Sequence, residues 1–111
     1  MAVTEASYEE GMRRLERLAD RLRVIGPRLA GREGEDARRL LGEVRAGLQR
    51  LADLAADADG EPRRPVPVLG AHALADQALV LGHDLLGTPG RRSEVVRAAA
   101  IQTFAEVSQL I

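Results

Sequence analysis

Residues 35–58 read EDARRLLGEVRAGLQRLADLAADA. Apolar side chains fall at Ala37, Leu41, Val44, Leu48, Leu51, Ala55 and Ala58, in alternating steps of four and three. That spacing lines all seven along one stripe of an α-helix, as in an a/d seam. The other face is charged, with Glu35 four residues before Arg39 in the favourable order. Glu35 and Asp36 suit a helix N-terminus, and Gly60 with Pro62 ends the helix. A strand would alternate every two residues, and this stretch does not. A helix with one apolar stripe must bury it, so the flanking segments should supply its partners.

Upstream, apolar residues recur at Tyr8, Met12, Leu15, Leu18, Ala19, Leu22 and Ile25. Ser7 and Glu10 read as a capping box that starts this helix, and Gly26-Pro27 reads as its end. The predicted span is about 7–25. A glycine-rich connector, 26–34, follows, with Leu29 folding back onto the bundle end. Downstream, three prolines at 62, 65 and 67 exclude helix and central strand, so this segment should run extended over the surface. A third helix is predicted over about 68–86. A fourth is predicted over about 91–110, capped by Thr88-Pro89 or by Ser93, with the stripe Val96, Ala100, Phe104, Val107 and Ile111. The expected fold is all-α: one domain, 1–111, forming a four-helix up-and-down antiparallel bundle.

Composition removes several function classes. There are 16 basic and 17 acidic residues, for a net charge of −1, and no Cys. Disulfides, thiolate zinc sites and cysteine nucleophiles are excluded. A near-neutral chain with two aromatics suits neither phosphate neutralisation nor base stacking, so no nucleic-acid partner is expected. No apolar stretch reaches bilayer length and no leader pattern is visible, so no membrane partner and a cytoplasmic location are expected. All the basic residues are Arg, which is what a GC-rich coding genome produces. No nucleophile–base constellation and no phosphate loop is present, so neither catalysis, nor a cofactor, nor a small-molecule substrate is expected.

The two halves of the chain differ in charge. Residues 1–60 hold 11 Arg and 12 acids, whereas residues 61–111 hold five of each. The third helix has Asp76 and Asp84 and no Arg, so it is apolar most of the way round. On a helical wheel Ala71, Ala75, Ala78 and Gly82 share an arc of about 60°, flanked by Leu79 and Leu86. Such a small-residue stripe admits a close helix, either within the bundle or from another molecule. Leu69, Ala73 and Val80 lie off the stripe, where polar residues belong, and favour an intermolecular contact. The candidate interface is therefore Ala71, Ala75, Ala78, Leu79, Gly82 and Leu86. The expected partner is a second copy, giving a homodimer through helices 3 and 4.

His72, Asp76 and His83 form the candidate polar site. His72 and His83 are about three helical turns apart and cannot share an ion. The plain expectation is a hydrogen bond from His72 to Asp76 at the core's edge. Arg13, Arg14, Arg17 and Arg21 alternate with acids, as on a solvated face. Arg63-Arg64 and Arg91-Arg92 are exposed basic pairs.

Ala71-His72-Ala73-Leu74, with Gly82 ten residues after His72, resembles part of the signature of histidine phosphotransfer domains, which are four-helix bundles of similar size. Ala75 stands where that family has Lys, and Asp76 where it has Gly. The resemblance implies an alternative function, a degenerate phosphotransfer-like signalling module using His72.

Overall fold

The computed structural model describes residues 2–87 and 92–111, with side chains from Ser7 onward. It is all-helical, with four α-helices packed against one another and no strand among the described residues. They are α1 (Ala2–Ala30), α2 (Glu35–Asp59), α3 (Leu74–Leu86, entered through a 3₁₀ turn at Ala71–Ala73) and α4 (Glu94–Leu110).

The seams behave as their periodicity requires. Leu15, Leu18 and Leu22 of α1 are buried with Val44, Leu48 and Leu51 of α2. Leu74, Ala78, Leu85 and Leu86 of α3 and Ala100, Phe104 and Val107 of α4 complete one core. Gly60 closes α2 in the left-handed region, φ 67°, and the Glu61 N–H reaches back to the Ala56 carbonyl at 2.9 Å. Ser93 caps α4 by accepting the Val96 N–H at 3.2 Å. The Thr88-Pro89 alternative lies outside the described residues.

Three boundaries differ from expectation. Helix 1 runs straight through Gly26-Pro27 to Ala30. Proline disfavours the helical region for the preceding residue through clashes of its ring with that residue's N–H and Cβ, and Gly26 lacks the Cβ part of that clash. Gly26 also lies so close to the Ala71 carbonyl that an added Cβ would sit 2.6 Å from its oxygen. Beyond it, Leu29 is buried at the bundle end as expected. Ser7 lies inside α1, which begins at Ala2, so it caps nothing. Helix 3 starts at Leu74, not at 68. Residues 68–70 remain extended, because the Leu69 carbonyl accepts from Arg45 of α2 at 2.5 Å.

The four helices form a bundle as expected, but the link between α2 and α3 is no short hairpin. Residues 61–70 form a strap that returns along α2. Arg63 binds Asp57, Gln49 binds the Arg64 carbonyl (3.0 Å) and the Val66 N–H (2.8 Å), and Arg45 binds at Leu69. A proline-rich chain has carbonyls to satisfy but few N–H groups, and side-chain donors of α2 meet them. The strap thus makes a crossover, and α3 descends parallel to α2.

Pairings across the core fix the rest. Gly82 lies on Leu15 and Gly11 on Leu86, so α1 and α3 are antiparallel. Gly47 lies on Val107 and Asp59 on Arg92, so α2 and α4 are antiparallel as well. Helices α1 and α2 barely touch and occupy far corners, with α3 and α4 between them. The outline is flattened accordingly, 49 × 29 × 17 Å.

Candidate docking interface

The small-residue stripe faces inward. Ala71, Ala75, Ala78, Gly82 and Leu86 are all buried, and Leu79 is half-buried. Leu15 of α1 packs onto Gly82, and Leu86 fills the space above Gly11. The stripe is the seam on which α1 lies, so its residues are not available to a second molecule in this fold. Its small size serves the close approach of α1 and α3.

The apolar residues off the stripe are the ones left outside. Val80 of α3 is 70% exposed and Leu69 of the strap 48%. These two belong to one surface, because the strap lies beside α3 and leaves a groove between them, whereas Val68 faces the α2 side of the strap. Pro65, Val66, Pro67 and Leu69 form one wall, and Ala73, Val80 and Leu81 form the other, around about 560 Å³. Ala52 of α2 lines it too. Gln77 donates to the Pro67 carbonyl at 2.9 Å and holds the strap to α3. The groove is therefore braced on both sides and does not depend on a loose loop.

Charge at the groove is sparse and specific. Arg63 is pinned to Asp57 by two hydrogen bonds, at 2.7 and 3.0 Å, and lies 3.8 Å from Asp53. That bond holds the Asp57 carboxyl below its ordinary value of 3.8 and raises the Arg63 guanidinium. The pair thus supports the strap at pH values above 3.8 and releases it as acid titrates Asp57 through its lowered value. Arg64, next along the strap, and Asp76, on α3, both line the groove and are exposed. Neither side chain has a partner among the described residues.

No family model, no curated protein and no solved structure matches this chain. What the site can do must therefore be argued from its geometry.

The candidate polar site does not assemble. His72 is exposed in the 3₁₀ turn, with its ring over Gly70. No hydrogen bond joins it to Asp76, against expectation, because the chain enters α3 only at Leu74 and the helical i,i+4 geometry does not reach back to residue 72. His83 is exposed in the last turn of α3, at the opposite end of that helix. There it lines a polar hollow of about 750 Å³ with Tyr8, Asp59, Asp84 and Arg92. Arg92 bridges Asp59 (2.9 Å) and Asp84 (3.6 Å), which ties α2 and α3 to the start of α4. Among the described residues no three His, Cys, Asp or Glu side chains are grouped to hold a metal. No helix there is long and apolar enough to cross a membrane.

Helix α4 contributes less surface than expected. In its stripe Ala100, Phe104 and Val107 are buried and Val96 and Ile111 partly so, and its exposed large apolar residues are Val95 at the start and Leu110 at the end. The structure adds one residue that the sequence analysis missed, Arg97, which is wholly buried. Its Nε donates to the carbonyl of Leu86, the last residue of α3, at 3.1 Å. The signal was present: Arg97 is in phase with Ala100, Phe104, Val107 and Ile111, at steps of three, four, three and four.

Proposed function

We propose that the protein is a non-catalytic protein–protein interaction module that works by self-association, using the groove between the strap and α3 in place of the buried stripe. The observation that carries this is the braced apolar groove with Val80 and Leu69 exposed along it. Exposed apolar surface of this kind, rimmed by polar groups, marks protein contact sites. The cytoplasm is the proposed location.

Light scattering on eluting protein tests the reading. The parent should show twice the chain mass at high micromolar concentration. Val80→Glu places a charge in the contact and should return the chain to monomer. Because Val80 is a surface position in the monomer, the unfolding free energy at low concentration should stay within about 0.5 kcal/mol of the parent's. A parent that is monomeric throughout refutes self-association.

A second reading, phosphotransfer at His72, is supported by the exposure of its imidazole. Asp76, four residues on, adds a negative charge that disfavours a phosphoryl group nearby. Incubation with phosphoramidate followed by phosphorus NMR tests it, and the absence of a phosphohistidine signal removes it.

A further inference from the structure

Accepting self-association through this groove, we infer that the second copy docks about a two-fold axis lying in the plane of the strap–α3 face and running along the groove, with Arg64 of each copy paired to Asp76 of the other. The charges around the groove single these two out. Arg63 is held by Asp57, Gln77 by the Pro67 carbonyl and Arg45 by the Leu69 carbonyl. Arg64 and Asp76 are opposite in sign, line the same groove and have no partner in their own chain among the described residues. One stands on the strap wall and one on the α3 wall.

A two-fold axis in the plane of that face, midway between them and at right angles to the line joining them, sets Arg64 of each copy over Asp76 of the other. In an isologous contact, residue i of one copy meets residue j of its mate, and j meets i. One cation and one anion across an apolar floor therefore complement themselves twice. The apolar floor supplies most of the attraction. The rim pairs fix register and exclude the alternative of placing like charges together. Because the pairs are solvent-accessible, the dimer should weaken as salt rises.

The test follows from reciprocity. In Arg64→Asp, position 64 meets Asp76 of the mate with like charge, twice. In Asp76→Arg, position 76 meets Arg64 of the mate with like charge, twice. Each variant alone should dimerise at least about tenfold more weakly than the parent in sedimentation equilibrium. An equimolar mixture of the two brings opposite charges together at both places, so it should form a heterodimer of near-parental affinity. Circular dichroism melts of each variant confirm that the monomer is folded. Should the parent dimerise while each variant does so equally well, or while the mixture fails to recover, the proposed pairing is wrong and self-association stands. Should the parent itself never dimerise, the underlying reading fails and the pairing falls with it.

Discussion

Replacing Arg97 with Ala is expected to destabilise the fold by about 3 kcal/mol. Its side chain is among the largest fully buried ones, at 0% exposure. Its Nε bonds the carbonyl at the very end of α3. The last carbonyls of a helix lack intrahelical partners and carry its partial negative charge, so a buried guanidinium is well matched there. Truncation removes a hydrogen bond to a charged group, about 1.5–3 kcal/mol, and also leaves a void. The melting temperature should fall by roughly 10 °C. Arg97→Met restores volume without the donor and should fall between Ala and the parent. If Arg97→Ala melts within about 3 °C of the parent, the guanidinium is not holding α3 to α4.

The second large effect is expected at Gly26. Alanine is the better helix former by about 1 kcal/mol, so propensity alone predicts stabilisation. The structure predicts the reverse. A Cβ at Gly26 would lie 2.6 Å from the Ala71 carbonyl oxygen, a backbone atom that cannot swing aside. The new Cβ would also crowd the Pro27 ring and favour leaving the helix. Overpacking of this kind costs about 1–3 kcal/mol, and the net loss should be about 2 kcal/mol. Gly42 provides the control within one fold. It sits in α2 with nothing within 4 Å of an added Cβ. Gly42→Ala should therefore stabilise by about 0.5–1 kcal/mol. Thermal melts of the two variants should move in opposite directions. A gain at both sites would mean that the end of α1 does not lie against the turn before α3.

These two residues also show which parts of the fold were legible in sequence and which were not. Periodicity is a local property, so the four seams and the limits of α2 could be read from it; that helix was expected at 35–58 and ends at Asp59. The extended course of the proline-rich segment followed from φ restriction alone. The path of α1 past Pro27 was not legible, since it depends on the tertiary contact of Gly26 with the Ala71 carbonyl. Nor was the crossover. It depends on Gln49, Gln77 and Arg45, which look like ordinary polar side chains until the strap lies beside them. Arg97 was hidden by a rule of thumb that counts arginine as surface.

The candidate interface illustrates the same division. The stripe Ala71, Ala75, Ala78 and Gly82 was visible on the wheel, but a wheel cannot say which molecule fills it. The structure gives it to α1, whose Leu15 packs on Gly82 and whose Gly26 lies on Ala71. What pointed outward was the lesser signal, Leu69, Ala73 and Val80, off the stripe. Leu69 proved to lie on the strap and Val80 on α3. The groove arises only when the two come together.

Hydrogen–deuterium exchange at two protein concentrations tests most directly whether this groove is the working surface. Between low and high micromolar concentration, amide protection should rise in residues 64–81 and stay constant in α1 and in the second half of α4. A concentration-dependent rise centred on α1 or α4, or no dependence on concentration anywhere, would contradict the account.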